Sequence, residues 1–74
     1  MNVKVYPNPA EGFVNVKAEG LQSIELIDMM GRIVKEQSAL QSTTTVDLSN
    51  LPSGLYFLRV TTDKGIAIER INNR

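Results

Sequence analysis

The sequence has no histidine, no cysteine and no tryptophan among its 74 residues. Without histidine and cysteine, the chain has no imidazole base, no thiol nucleophile, no disulfide and no Cys/His zinc site. Its serines have no histidine to activate them, so a serine–lysine pair is the one nucleophilic arrangement that stays open. Closely spaced carboxylates of the kind that bind calcium are also missing. The residue inventory therefore predicts a protein that is not an enzyme and that uses no metal or cofactor.

An excess of charge of one sign is missing as well. Eight Lys and Arg balance eight Asp and Glu, which gives a formal net charge of +0. A nucleic-acid-binding face normally carries an excess of positive charge, so we expect no nucleic-acid partner. A chain this short has little core in which to enclose a cavity, so we expect no small-molecule substrate. No apolar run approaches the roughly 20 residues of a transmembrane helix, and residues 1–5 lack the layout of a signal peptide.

The chain does contain regularly spaced turn residues, because glycine, proline or short polar stretches recur about every 8–12 residues. Between them, residues of opposite polarity often alternate, as in the segment 13–18, and thirteen Val and Ile favour strands. We predict seven short strands, at about residues 3–6, 13–18, 23–28, 33–38, 43–47, 55–62 and 66–71. Because seven antiparallel strands of this size split into two packed sheets, the fold class is all-β, an immunoglobulin-like antiparallel β-sandwich.

The segment 21–37 is the one place where a helix competes with this interpretation. Some of its apolar residues stand three apart, but Gly31 and several β-branched residues disfavour a helix. We predict a hairpin whose turn is 29–32, with Gly31 supplying a positive φ. A second hairpin turn is expected at 63–65. The side chains of Asp28, Asp47 and Asp63 are expected to close turns by hydrogen bonding to the backbone.

The segment Tyr6-Pro7-Asn8-Pro9-Ala10 is informative because two prolines flank one asparagine. Each proline fixes its own φ and biases the preceding residue towards an extended conformation. The segment either ends the first strand stiffly, so that the strand cannot pair further, or takes part in recognition. The sequence leaves both interpretations open.

Two further features lie in the segment 46–60. Leu51-Pro52 leads a turn and Tyr56 follows it, which is typical of a tyrosine corner, where the phenol bonds to the backbone upstream. The strand after this turn is apolar on both faces. If Tyr56, Leu58 and Val60 fill the core, two apolar side chains are left on the outer face, namely Leu55 and Phe57. These two residues are either a docking patch or ordinary exposed or loop-covered apolar residues.

Together these segments resemble the C-terminal sorting domain (type A) of the Bacteroidota type IX (Por) secretion system. The resemblance covers almost the whole chain. It rests on Tyr6-Pro7-Asn8-Pro9-Ala10, Ile27-Asp28-Met29-Met30-Gly31-Arg32-Ile33-Val34, the segment 46–60 and the end Glu69-Arg70-Ile71-Asn72-Asn73-Arg74.

The resemblance implies a secretion signal that directs a periplasmic cargo protein through the type IX outer-membrane translocon to the cell surface. Cleavage by a surface sortase-like protease often follows. It also implies that residues 1–74 are a single domain and a fragment of a larger secreted precursor with an N-terminal cargo domain. The expected localisation is the periplasm in transit, then the outer-membrane surface or the extracellular space. Self-association through an edge strand stays open.

A fold that acts as its own signal is expected to present surface apolar groups and sheet edges rather than a deep pocket. The candidate recognition or motif residues are Pro7, Asn8, Pro9, Gly31, Gly54, Tyr56, Phe57, Arg59, Arg70 and Arg74. Three of these, Gly31, Gly54 and Tyr56, are expected to determine the fold rather than to contact a partner. The alternative function is an immunoglobulin-like spacer or a carbohydrate-binding accessory module of a secreted enzyme. Sugar binding is disfavoured because the chain has no Trp, two Tyr and two Phe.

Overall fold

The computed structural model describes residues 2–38 and 41–74. Within this part of the chain there are seven strands: β1 (Val3–Tyr6), β2 (Phe13–Ala18), β3 (Leu21–Ile27), β4 (Ile33–Ser38), β5 (Thr43–Asp47), β6 (Gly54–Thr62) and β7 (Gly65–Asn73). They form two antiparallel sheets with the strand orders β1-β2-β5 and β4-β3-β6-β7. The predicted sandwich of seven short strands is confirmed. Across the described residues, no helix is long and apolar enough to cross a membrane.

The core lies between the two sheets and is built from alternate residues of the strands. Every second residue of β2 and of β6 is buried, because successive side chains of a strand point to opposite faces. The prediction that Tyr56, Leu58 and Val60 fill the core is confirmed. The largest fully buried side chains are Ile24, Leu26, Leu48, Leu58, Ile71, Val14, Val16, Val46 and Val60. Each such side chain stabilises the fold by about 1.5–3 kcal/mol relative to exposure.

Three of the predicted strands have different boundaries in the structure. β3 begins two residues earlier than predicted because Leu21 is buried and pairs with Thr62 beyond a register shift. β6 begins one residue earlier, at Gly54. β7 continues to Asn73 because that residue pairs with Gly54 on one side and bridges to Ala10 on the other.

The segment 21–37 forms the predicted hairpin rather than a helix. At its turn, the Gly31 N–H donates to the Asp28 carbonyl (3.0 Å), and the Asp28 N–H donates to the Arg32 carbonyl (2.9 Å). Gly31 has φ 83°, a conformation that costs about 1–2 kcal/mol for a residue with a Cβ. The predicted role of Gly31 as the positive-φ residue of this turn is confirmed.

One side of the sandwich is closed by side chains that reach from β4 to the edge of β5. Lys35 Nζ donates to the Asp47 carbonyl (2.7 Å), and Gln37 Nε2 donates to the Thr45 carbonyl (3.4 Å). On the other side, the segment that follows β1 crosses to β7. There the Ala10 N–H donates to the Asn72 carbonyl (2.7 Å), and the Arg74 N–H donates to the Ala10 carbonyl (2.9 Å). The two sheets are thus joined along both sides, although they share no strand.

Candidate recognition surface

The segments that carry the sequence motifs meet at one end of the sandwich. β1, β3, β5 and β7 all end there, and β2, β4 and β6 begin there. We define the motif end as residues 6–10, 28–32, 48–56 and 70–74. Hydrogen bonds join segment 6–10 to segment 70–74. Further hydrogen bonds join segment 70–74 to residues 48–52.

Asn8 binds the outer edge of β7 through its side chain. Its Nδ2 donates to the Arg70 carbonyl (3.2 Å), and its Oδ1 accepts from the Asn72 N–H (3.2 Å). These are the two bonds that a neighbouring strand would make, so the amide takes the place of a strand residue. The peptide bonds Tyr6–Pro7 and Asn8–Pro9 on either side are both cis. The Pro-Asn-Pro segment therefore has a structural role beyond ending β1, because it covers the edge of the last strand.

The last strand is also held from inside the sandwich by Asn73. This residue is 2% exposed. Its Nδ2 lies 3.5, 3.4 and 3.3 Å from the carbonyl oxygens of Leu48, Leu51 and Pro52. The buried amide thus ties the final turn of the chain to the loop that precedes β6.

The same loop forms the predicted tyrosine corner. The Tyr56 hydroxyl donates to the Pro52 carbonyl at 2.7 Å, and the phenol ring is buried. Pro52 therefore accepts hydrogen bonds from both Tyr56 and Asn73, which couples the start of β6 to the end of β7. Gly54, between them, has φ 146°, a conformation that is disfavoured for residues with a Cβ.

The aspartate side chains of two turns act as predicted. Asp28 Oδ1 accepts from the N–H groups of Met30 (2.9 Å) and Arg32 (3.0 Å), and its Oδ2 pairs with Arg32 Nε (2.9 Å). Asp47 Oδ1 accepts from the Ser49 N–H (2.9 Å). The backbone N–H of Arg32 is the main cause that lowers the pKa of Asp28, and the hydrogen bonds from Ser49 lower the pKa of Asp47.

These lowered pKa values predict how the turn responds to acid. We expect the stability advantage of the wild type over Asp28→Asn to be largest above about pH 5 and to shrink as the pH falls. The reason is that the unfolded carboxylate, with a pKa of about 3.9, takes up its proton before the folded one does. Urea unfolding of both proteins between pH 6 and pH 2 measures the difference between their free energies of unfolding. Asp47 contributes equally to both proteins, so its own titration does not affect this difference. A difference that does not change with pH would contradict the prediction.

The outer face of the four-stranded sheet carries the two apolar residues expected there. We use the term outer face for the side of this sheet that points away from the core. Leu55 is exposed and Phe57 is half-buried. Arg59 follows them on β6 and forms an ion pair with Glu25 of β3. The placement of Leu55 and Phe57 on the outer face is confirmed, whereas their role in docking stays a prediction.

The structure divides the candidate residues into three groups. Gly31, Gly54 and Tyr56 serve turns and the core, as expected of fold-determining residues. A second group lies at the motif end, namely Pro7, Asn8, Pro9, Arg70 and Arg74. Phe57 and Arg59 lie further along the outer face, and Phe57 is the cross-strand partner of Arg70. Arg74 lies 3.9 Å from a Glu11 carboxylate oxygen, and both side chains are exposed.

Several residues of this surface are not among the candidates predicted from the sequence. Met29 and Met30 are exposed at the tip of their turn and line a shallow depression together with residues 53–56. An adjoining depression is lined by Asn8, Pro9, Leu55, Arg70, Ile71 and Asn72. Two large apolar residues in a tight turn could have indicated an exposed apolar surface, since the residues of such turns are usually polar. Among the described residues, no three His, Cys, Asp or Glu side chains come together to hold a metal ion.

The fold and this surface define a small antiparallel β-sandwich domain whose motifs form a surface rather than a catalytic pocket. Residues 4–72 match the family model described as the secretion system C-terminal sorting domain, so the chain belongs to this family. It is a sorting domain of type IX secretion that directs cargo export, and the family is non-catalytic. Membership implies interaction with the type IX machinery and a cargo that is secreted or held at the cell surface. The assignment to the sorting-domain family is confirmed and replaces the spacer or carbohydrate-binding alternative, whereas the assignment to type A stays a prediction.

A solved structure has the same fold. It is that of PorZ, described as an essential bacterial surface component of the type-IX secretion system of the human oral-microbiomic Porphyromonas gingivalis. The TM-score is 0.78 at 21% sequence identity, and the match covers 97% of this chain and 11% of that one. A comparison with curated protein sequences finds no match.

Proposed function

We propose that this domain is a type A sorting signal whose motif end and outer face are recognised by the type IX outer-membrane translocon. In this proposal, residues 1–74 are one domain of a larger secreted precursor with an N-terminal cargo domain. The precursor crosses the periplasm, and the cargo then reaches the outer-membrane surface or the extracellular space. A surface sortase-like protease is proposed to remove the domain after export.

The convergence of four motif segments at one end of the sandwich supports this proposal most directly. Met29, Met30 and Leu55 are exposed there, beside the cationic side chain of Arg70. Methionine, other apolar groups and arginine are typical of the centres of protein interfaces. Tyr56 and Asn73 are buried beneath this surface and hold its segments in place. The motif residues thus supply both an exposed surface and its support.

The candidate residues divide their roles accordingly. Phe57, Arg59 and Arg70 are proposed to contact the translocon from the outer face. Four further contacts are proposed along the edge beside them, from Pro7, Asn8, Pro9 and Arg74. Gly31, Gly54 and Tyr56 are proposed to act by maintaining the fold, so that their replacement abolishes sorting by unfolding the signal.

The experiment that tests the proposal fuses residues 1–74 to the C-terminus of a reporter that carries a signal peptide. In a host with a functional type IX system, we expect the reporter at the cell surface or in the medium. Retention of the reporter in the periplasm, while the native cargo of the host is exported, would contradict the proposal.

A pair of matched variants tests where the recognised surface lies. Leu55 and Ile66 are both exposed on the four-stranded sheet, at 39% and 59%, but Ile66 lies at the end of the sheet opposite the motif end. We expect Leu55→Ser to reduce reporter export about tenfold, which corresponds to 1.4 kcal/mol of binding. We expect Ile66→Ser to leave export unchanged, and both variants to stay folded, because exposed substitutions usually change stability little. Equal effects on export would show that the motif end is not the recognised surface.

A further inference from the structure

Two methionines occupy the tip of the β3–β4 turn, where their side chains serve neither the core nor the turn. Met29 is 61% and Met30 is 80% exposed, and neither belongs to the hydrophobic core. The hydrogen bonds of the turn come from the Asp28 carboxylate and from backbone groups, and Met30 takes part only through its N–H. The fold therefore does not depend on the two thioether groups.

The same side chains determine the polarity of one part of the motif end. They line a shallow depression together with residues 53–56, among which Leu55 is exposed. Most of the surface that lines this depression is apolar, whereas the adjoining depression beside Asn8 and Arg70 is more polar. The apolar character of this part of the surface thus depends largely on Met29, Met30 and Leu55.

A thioether is the one apolar side-chain group in this depression that a mild oxidant converts into a polar group. A hydroperoxide transfers one oxygen atom to the sulfur. The S–O bond forms as the O–O bond breaks, the sulfur gives up two electrons, and the peroxide is reduced to water or an alcohol. The product, methionine sulfoxide, is polar and accepts hydrogen bonds. A thiol-dependent reductase reverses the step, because two thiols become a disulfide while the oxygen leaves as water.

We propose that Met29 and Met30 are a site of reversible oxidation by hydroperoxides, and that the oxidised domain is recognised poorly at the motif end. This inference rests on the proposed function, in which the two side chains belong to the recognised surface. A partner that fits apolar groups would have to cover the sulfoxide oxygens without donating hydrogen bonds to them. Because burying an unpaired polar group is costly, we expect export of the oxidised domain to fall about tenfold.

The oxidised domain is expected to stay folded, which distinguishes this effect from loss of the signal by unfolding. Residues 1–74 are treated with hydrogen peroxide, and the tryptic peptide 18–32 is analysed by mass spectrometry. This peptide contains Met29 and Met30 and no other methionine. We expect each of them to gain one oxygen atom. Urea unfolding before and after treatment is expected to give the same free energy of unfolding, because both side chains are exposed.

Recognition of the oxidised domain is measured in a host with a functional type IX system that produces the reporter fused to residues 1–74. Protein synthesis is stopped, reporter that is already exported is removed, and a short pulse of hydrogen peroxide is ended with catalase. Peptide 18–32 is then compared between reporter exported after the pulse and reporter that remains in the periplasm. We expect the ratio of sulfoxide to unmodified methionine to be about tenfold lower in the exported reporter.

Variants of the two methionines test whether polarity at the turn is the cause. The double variant Met29→Gln, Met30→Gln imitates the sulfoxides with polar, uncharged side chains, and we expect about tenfold lower export without peroxide. The control is Ile66→Gln, the same kind of change at an exposed residue at the opposite end of the sheet, which is expected to be exported like the wild type. The double variant Met29→Leu, Met30→Leu stays apolar and has no sulfur to oxidise. Its export with peroxide is expected to equal its own export without peroxide.

Three outcomes would overturn the inference. Equal ratios of sulfoxide to methionine in exported and periplasmic reporter show that oxidation does not affect recognition, although export itself still supports the proposed function. A lower free energy of unfolding after oxidation shows that the sulfoxides act by unfolding the domain. If peroxide lowers export of the leucine double variant as much as that of the wild type, it acts elsewhere. Retention of the untreated wild-type reporter in the periplasm contradicts the proposed function, and the inference with it.

Discussion

Changing Asn73 to aspartate is expected to lower the free energy of unfolding by about 3–5 kcal/mol at pH 7, the usual penalty of an unpaired buried charge. The two side chains have nearly the same shape, so packing is unaffected. The Nδ2 donor, however, is replaced by a carboxylate oxygen that faces the carbonyl oxygens of Leu48, Leu51 and Pro52. A domain of this size has little stability to lose, so much of the population unfolds. Urea unfolding at pH 7 measures the loss.

The pH dependence of this variant identifies the cause. Burial raises the pKa of the introduced carboxyl in the folded state above its unfolded value of about 3.9. The charge penalty is therefore absent below about pH 4, grows as the pH rises towards the folded-state pKa, and is constant above it. The control is Asn72→Asp, the same change at an exposed neighbouring position, which is expected to cost less than about 1 kcal/mol. A loss of stability at Asn73 that is equally large at pH 3 would contradict the electrostatic explanation.

Replacing Tyr56 by alanine is expected to cost about 3–5 kcal/mol, because it empties a site in the core and removes the bond to the Pro52 carbonyl. Tyr56→Phe keeps the ring and isolates the hydrogen bond, so we expect a loss of about 1 kcal/mol. Tyr6, which is 45% exposed against 5% for Tyr56, provides the matched control. Thermal or urea unfolding of the four single variants, to alanine and to phenylalanine at each tyrosine, measures these costs. If both tyrosines tolerate alanine equally, the tyrosine corner does not stabilise this fold.

Tyr56 and Asn73 are further expected to act together. Both donate to the Pro52 carbonyl, so the cost of removing both donors should differ from the sum of the single costs. Either variant should lower the export of a fused reporter in proportion to the unfolded fraction. A variant that is fully folded under the assay conditions and still fails in export would show that the residue is recognised directly.

The strands and the core were predictable because their signals are local. Alternation with a period of two places Tyr56 and Leu58 on one face and Leu55 and Phe57 on the other, whatever the sheet order. Gly31 predicted a turn because few other residues tolerate positive φ. The tyrosine corner was predictable because it is also a local signal: its donor and acceptor are only four residues apart. The positions of the strand ends were predicted less accurately, because they depend on pairing with residues of strands that are distant in the sequence.

The roles of Asn8, Asn73 and the isoleucines of β7 were not predictable from local patterns. Asn8 bonds to residues 62 and 64 positions away, and Asn73 reaches carbonyls 21 to 25 positions away. Ile66 and Ile68 alternate like core residues, yet they point outwards because the register with β6 assigns the opposite face of β7 to the core. Alternation divides a strand into two faces without saying which one is covered.

The two-residue alternation, the regularly spaced turn residues and the ordered motifs by themselves predicted that this chain is an all-β sorting domain. Each of these features is a pattern of residues that are close together in the sequence, so it can be recognised without knowledge of the tertiary structure. The tertiary structure alone decided that the motifs meet at one end, that Asn8 and Asn73 hold the last strand from two sides, and that Ile66 and Ile68 face outwards. These features depend on the order of strands in the sheets, and only the packing of the whole chain determines that order.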